Sequence, residues 1–583
     1  MTSTTSDEQV LGLCKEIWEW RLKESPELAT FCGFYQFDHL WDDISVDAYT
    51  KREECVHAFL ERASLLNVKS CSKSVGLSHA LLLHDLKLYL KGSLFKSLLM
   101  PINYLEGIHV DCNQTISFMK FDSEKDFEKY ILRLKALPSR VLQIIDILRQ
   151  GIKDNIVPFS CSMQRVPEQI DTMMKTSSLD EHDLLLPFRE NHPNIPKDKM
   201  TSFQRTAKDV MISDVFPAFE KLKMFLNEEY SKAWRSEEGI SSLKDGSAWY
   251  QQCLNFHLSC NMTPEEVHNI GLKEVARIRS CILQLAQKED LGQTFPEIWT
   301  ALTKRQKGFF KSQDEVLSFV KDLCYNKIKP KISQLFKDLP DIEMKIEPAP
   351  LYMKDAPAGY YLNGTPDGSR DGTFRVNVHR LDECFPFEYP ALCLHEGEPG
   401  HHLQGIYSLA ATHLPEFRRY CEDSKYYLSP MKFSFNTAYV EGWGLYSEAL
   451  GEELGVYESN LDLLGRYAFE IFRACRLVVD TGLHAFGWYK DKALQFMLDN
   501  CLSPPGELKN EVERYITWPG QACAYKIGEM KIWELRKKAE KELGTAFDIR
   551  EFHHCILDCG AVPLDVLADV VDQFIQDNTI PGN

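Results

Sequence analysis

Residues 127–148 read FEKYILRLKALPSRVLQIIDIL. Tyr130, Ile131, Leu134, Leu137, Val141, Ile144, Ile145 and Leu148 recur at helical spacing and make one broad apolar stripe. That period predicts an amphipathic helix, and most of the chain repeats it. Thr263-Pro264-Glu265-Glu266 joins a capping box to a proline at the first helical position, opening a helix to about residue 287. Ser312 and Glu315 form a second capping box before another long helix. One segment breaks the pattern. Ile342, Met344 and Ile346 alternate, Pro and Gly then cluster, and Phe374, Val376 and Val378 alternate again. This predicts a small β-sheet over 342–380 with turns at Asn363-Gly364 and Asp367-Gly368. Helices resume near Glu388. The expected fold is mainly α: a multi-helix body with a small β-sheet. It reads as an N-terminal helical half, 1–340, and a C-terminal half, 341–583, that carries the sheet.

The chain has 583 residues, 44% hydrophobic and 26% charged, which excludes wholesale disorder and a fibrous repeat. Its net charge of −18 gives no general attraction to phosphate backbones or anionic lipid, and no basic run supplies a local one. Neither nucleic acid nor membrane is an expected partner. No run of about 18 apolar residues predicts a membrane span. The opening MTSTTSDEQV lacks a basic-then-apolar leader, so a cytoplasmic location is expected. The 18 cysteines are scattered, and Cys393, Cys475 and Cys523 fall inside apolar helical patterns, which reads as reduced core thiols.

Chemistry concentrates in two segments. Residues 395–404 read HEGEPGHHLQ, and residues 439–448 read YVEGWGLYSE. A His-Glu pair, another histidine soon after and a downstream helical Glu are the parts of a catalytic zinc site, with three protein ligands and one open position. In H-E-x-x-H the second histidine comes four residues after the first, but here that position is Pro399. His402 lies seven on, which in an unbroken helix is about 10.5 Å along the axis. His401, six on, points away, at about 240° around the helix. Proline and glycine at 399–400 predict a kink that swings one of them back toward His395. His401 is favoured, with His402 as the alternative. Glu448, seven after Glu441, is the candidate partner behind a ligand.

A third segment adds an independent cluster. On the helix 466–490, Arg473, Arg476, Asp480 and His484 share about 80° of arc among apolar neighbours. Such charges are paired or face a polar cavity. Arg473 or Arg476 is placed to take a substrate carboxylate bidentately.

HEGEPGHHLQ, EGWGLYSEAL, RACRLVVDTGLH and YITWPGQACAYKIG, in this order over 395–528, resemble domain-of-unknown-function family 885. More distantly, H-E…G-H followed by E-G-W-x-x-Y resembles the gluzincin metallopeptidases. The separation of the histidines here is two residues longer than in their pattern. The resemblance implies a helical fold like that of the gluzincins, with Zn2+ held by His395, His401 and Glu441 and with Glu396 as general base. It also implies that the strand containing Phe374 and Val376 pairs with an extended peptide, as the edge strand does in those enzymes. Tyr525 is the first candidate for the donor to the oxyanion, and His484 the second. Lys526 reads as a carboxylate contact or a surface lysine, and Trp443 and Trp518 as packing. The function expected is a zinc-dependent peptidase acting on short peptides. The alternatives are a zinc hydrolase of non-peptide amides or esters, and a non-catalytic helical binding protein.

Overall fold

Ser123 and Asp126 cap each other's backbone at the start of the helix Glu124–Asp154, so the stripe read over 127–148 is the buried face of a 31-residue helix. The computed structural model describes residues 5–175, 178–351, 358–420 and 424–579. Inter-residue contacts divide the chain into two units. One comprises 1–238, 365–370 and 414–434; the other comprises 239–364, 371–413 and 435–583. The main division therefore falls at 238/239 and not at the expected 340/341. Two short later segments return to the first unit. The helices between 239 and 340 belong with the sheet because they bury their stripes against helices that follow it.

In the first unit, Arg133 projects from the Glu124–Asp154 helix into full burial, where it donates to the Leu40 carbonyl (2.9 Å) and to Thr30 Oγ1 (3.0 Å). A buried guanidinium is tolerable only with such partners.

In the second unit, the Thr263/Glu266 capping box opens the helix Pro264–Lys288 as expected. Ser312 caps Gln313–Lys321, but that α-helix is only nine residues long. It loosens into a π-helical stretch, Asp322–Ile328, and a tight 3-10 turn, Lys329–Gln334. Three strands follow: β1 (Met344–Pro348), β2 (Gly359–Leu362) and β3 (Gly372–Val376). The sheet order is β1-β3-β2, with β1 parallel and β2 antiparallel to β3. Phe374 sits between Ile346 on one side and Tyr361 on the other. The turn at Asp367-Gly368, in the 365–370 segment that belongs to the first unit, forms with Gly368 N–H donating to the Thr365 carbonyl and φ +70 at the glycine. Mainly α with one small sheet is the observed class.

Two helix pairs build the core around the candidate site. Pro264–Lys288 packs along Asn460–Ala485, where a Cβ on Gly271 would lie 2.7 Å from Leu477. Thr437–Glu453 packs along Ala524–Leu543 almost backbone to backbone. A Cβ on Gly442 would lie 2.4 Å from the Gly528 carbonyl carbon, and one on Gly528 would lie 1.8 Å from the Ala438 oxygen. Only glycine permits that approach at either position. Cys393, Cys475 and Cys523 are fully buried.

Candidate metal centre

The helix Tyr389–Glu396 carries His395 and Glu396 at its last two positions, and a second helix, His401–Ala410, begins at His401. The four residues Gly397–Gly400 join them, with a cis Glu398–Pro399 peptide. The kink expected at Pro399-Gly400 is thus a complete break between two helices. Gly400 packs on the end of the first helix, where a Cβ would lie 1.9 Å from the His395 carbonyl oxygen. Trp443 Nε1–H donates to the Pro399 carbonyl at 2.8 Å and ties the turn to the Thr437–Glu453 helix. The break lets His401 fold back beside His395, with ring centroids 4.7 Å apart and planes at 88°.

Glu441 meets both histidines. Its Oε2 is 3.6 Å from His395 Nε2 and 3.4 Å from His401 Nε2. All three ligand atoms lie within 4.8 Å of one another. Two atoms each bound at about 2.0–2.1 Å to one tetrahedral zinc stand about 3.4 Å apart. The donor set therefore fits the ion in both chemistry and spacing. Behind His395, Nδ1 is 2.8 Å from Glu448 Oε1, the carboxylate–histidine pairing that fixes a ligand's tautomer and raises its basicity. Burial alone would lower the His395 imidazole, but hydrogen bonds to Glu441 and Glu448 outweigh it and push it up to about 9. Burial likewise works against the Glu441 charge, yet the two imidazoles hold its carboxyl well below the usual range. The cluster favours positive charge at its centre.

His402 points elsewhere. It is fully buried, accepts from Tyr361 O–H (3.1 Å) at Nδ1, donates to the Ile342 carbonyl (3.2 Å) at Nε2, and is pushed down to about 4 by burial. It braces the second helix against the sheet region, so His401 and not His402 joins the cluster. Glu396 is 7% exposed, and its carboxylate forms no hydrogen bond or ion pair among the described residues.

A family model described as a bacterial protein of unknown function (DUF885) matches residues 26–571. The chain belongs to that family. The four motifs over 395–528 are thus the local part of a DUF885 match spanning nearly the whole chain. Among solved structures, one described as "the putative lipoprotein from Colwellia psychrerythraea" matches with TM-score 0.90 and 26% identity, covering 98% of this chain and 100% of that one. Another, "a putative lipoprotein of unknown function from Shewanella oneidensis", matches with TM-score 0.71 and 16% identity over 97% and 100%, a likeness of fold. No curated protein matches. Among the described residues, no helix is long and apolar enough to cross a membrane.

Other residues singled out in this DUF885 chain divide into two groups. Tyr525 stands one turn before Gly528, which touches Gly442, the neighbour of Glu441. Its hydroxyl oxygen accepts from Arg514 (3.2 Å) and Gln521 (3.3 Å), which leaves its own proton to donate. Arg473 reaches within 3.9 Å of Glu448. Arg473 thus lies next to the carboxylate behind His395, and Tyr525 stands on the helix that packs against the helix of Glu441. His484 does not serve as an oxyanion donor: its Nδ1 accepts from Ile240 N–H (3.0 Å) and its Nε2 donates to the Tyr515 carbonyl (2.9 Å), so both nitrogens are used inside the core. Asp480 accepts from Tyr250 O–H (2.6 Å) and Gly520 N–H (3.0 Å). Arg476 is held by Glu511 (2.9 Å) and Tyr515 (3.1 Å).

Phe374 and Val376 offer no strand edge to a substrate. Both are fully buried, and β3 is the central strand, paired along both edges, so no free edge remains on it for a peptide. A strand's alternation shows which face is buried and is silent about which edge is open. Lys526 is no surface lysine. It is 1% exposed, with Nζ at 2.6 Å from Glu470, 2.8 Å from Glu529 and 3.1 Å from Glu274. Sequence reasoning missed Gly444, where a Cβ would lie 2.7 Å from the His395 ring. The signal was present: Glu441, Gly444 and Glu448 share one helical face, and the small residue between the two acids marks where a ring lies.

Proposed function

We propose that this protein is a zinc-dependent hydrolase and that its substrates are short peptides. The observation that carries the reading is the convergence of His395, His401 and Glu441, with Glu441 Oε2 at 3.6 and 3.4 Å from the two imidazole nitrogens, close to the spacing of ligands on a single tetrahedral ion. Those three side chains would hold the zinc, with Glu448 orienting His395 from behind. When bound there, zinc supplies Lewis acidity to a substrate carbonyl and lowers the pKa of a water toward ~7.

The chain's own groups do the rest. Glu396 follows a ligand directly in sequence and its carboxylate is unengaged, so it takes the proton of the attacking water and returns it to the leaving amine. The hydroxyl of Tyr525, oriented by Arg514 and Gln521, donates to the oxyanion that develops on the carbonyl. Gly397–Gly400 and Trp443 fix the angle between the two histidine helices, so the ligands are held before substrate arrives.

Zinc content per chain, measured on wild type beside Glu441→Gln, tests the centre. One zinc in wild type and a large loss in the variant are expected; no zinc in either would favour a binding protein. Hydrolysis of a peptide panel beside acylated amines and esters then separates peptidase from the alternative, since the same groups serve both chemistries. Glu396→Gln is expected to keep its zinc and lose about 10²–10⁴-fold in kcat. For location, the cytoplasm expected from the sequence stands against the word lipoprotein, which both structural relatives carry in their descriptions. Cell fractionation with and without detergent distinguishes the two.

A further inference from the structure

We infer that Arg473, Arg476 and Arg514, gathered around Tyr525, seat the free C-terminal carboxylate of a short peptide, so that the enzyme works from the C-terminal end of its substrate. This rests on the peptidase reading above and extends it with a subsite and a direction.

The three guanidiniums come from two helices, Asn460–Ala485 and Pro505–Thr517, and approach one ring. Arg476 lies 4.5 Å and Arg473 6.0 Å from the Tyr525 centroid, and Arg514 donates to the Tyr525 hydroxyl. Donors outnumber acceptors. Arg476 gives Nε to Tyr515 and one terminal nitrogen to Glu511, while its other terminal nitrogen is buried without an acceptor. Arg514 gives its terminal nitrogens to Glu511 (3.4 Å), Gln521 (3.0 Å) and Tyr525, and its Nε has no acceptor. Arg473 gives one nitrogen to the Phe469 carbonyl (3.4 Å) and faces Glu448 at 3.9 Å; its Nε also has no acceptor.

Two of these cations thus share one carboxylate, Glu511, and Glu448 is already engaged by His395. Glu507, the other acid that senses Glu511 and Arg473, is pushed up to about 7 by burial and so brings less than a full charge at neutral pH. A cluster with surplus N–H donors and surplus positive charge selects a group that only accepts, and an ionised carboxylate offers about four lone-pair sites. Arg473 and Arg514 keep 13% and 15% of their side chains exposed, so part of the cluster reaches solvent. Its distance from the metal is short in side chains: Arg473 touches Glu448, and Glu448 touches His395. A carboxylate seated here places the last peptide bonds of a short chain nearest the candidate zinc.

The test uses an equimolar tripeptide library prepared once as free acids and once as C-terminal amides, with products read by mass spectrometry. Free acids are expected to exceed amides by about 100-fold in kcat/KM, the factor that about 3 kcal/mol of charge-assisted hydrogen bonding supplies. Arg514→Gln should bring the acid-to-amide ratio down to within a few-fold while zinc content stays at wild type, and Arg514→Lys should restore part of it. Equal cleavage of acids and amides by wild type overturns the seat and leaves the hydrolase reading standing. If neither library is cleaved, the peptidase reading falls, and the zinc-loaded protein is then incubated with both libraries and its bound peptides are counted. Retention of acids over amides supports the seat, and equal retention overturns it.

Discussion

His395 Nδ1 and Glu448 Oε1 are 2.8 Å apart, and Glu448 stands seven residues after Glu441, whose carboxylate faces the other nitrogen of the same ring. One helix thus grips the imidazole at both ends, and the ring lies across Gly444 between the two acids. The arrangement fixes tautomer, tilt and position together.

If Glu448 orients a ligand, removing its carboxylate should loosen the metal without removing a ligand. Glu448→Ala is expected to weaken zinc binding about 10–100-fold. Glu448→Gln, which still offers an oxygen to Nδ1–H, should lose less. Competition against a chelator of known affinity reads both; unchanged affinity in Glu448→Ala would show that the contact does not act on the metal.

Gly444→Ala sets two effects against each other. Alanine favours the helix by about 1 kcal/mol, but its Cβ would meet the His395 ring at 2.7 Å. The thermal midpoint should therefore move little while zinc affinity falls, because the ring, and not the backbone, must give way. Wild-type zinc affinity in the variant would mean that His395 has room the structure does not show.

The Trp443 indole does more than fill space. Trp443→Phe keeps most of the ring contact with His553 and Tyr446 but loses the bond to the Pro399 carbonyl, at a cost of about 1 kcal/mol or somewhat more if that oxygen stays dry. Amide exchange over 397–402 should accelerate in this variant more than exchange in the Ala524–Leu543 helix. Uniform acceleration would assign Trp443 to general packing.

Gly528→Ala tests the helix contact on which Glu441 rides. Its Cβ would fall 1.8 Å from the Ala438 oxygen, a backbone atom, so the helices must separate. A loss of about 3 kcal/mol or more is expected in denaturant unfolding, at the upper end of overpacking costs. A shift below about 1 kcal/mol would contradict the contact.

Acid should weaken the second unit through His553. Burial pushes this imidazole down to about 3 from 6.5, and its bonds require the neutral ring: Nδ1–H donates to the Leu335 carbonyl and Nε2 accepts from Tyr446 O–H, both at 2.9 Å. The unfolded chain binds the proton first, so the contribution is complete above pH 6.5 and declines as pH falls toward 3. The slope is about 1.4 kcal/mol per pH unit within that window. Urea midpoints at pH 6.5 and 5 should differ more in wild type than in His553→Gln. Parallel shifts would remove His553 from the acid response.

How far the sequence went varies from residue to residue. The helical fold was legible because period and caps are local: Thr263 with Glu266 starts a helix wherever that helix packs. His395 and Glu441 were legible as candidates because a His-Glu pair, another histidine soon after and a downstream helical Glu are residue types that can share a metal, and the structure brings His395, His401 and Glu441 together. Glu448 followed from helical phase alone.

Tertiary structure decided what depends on partners distant in the chain. The choice between His401 and His402 turned on where the second helix starts and on Tyr361, 41 residues before His402. His484 and Lys526 took their roles from Ile240 and Glu470, and β3 became central only when β1 and β2 reached it from both sides. Period and capping are properties of a few consecutive residues, so a sequence carries them openly. The partner of a buried charge or a strand edge is a property of the packed chain, because the cost of leaving it unpaired is met by whichever segment folding brings beside it.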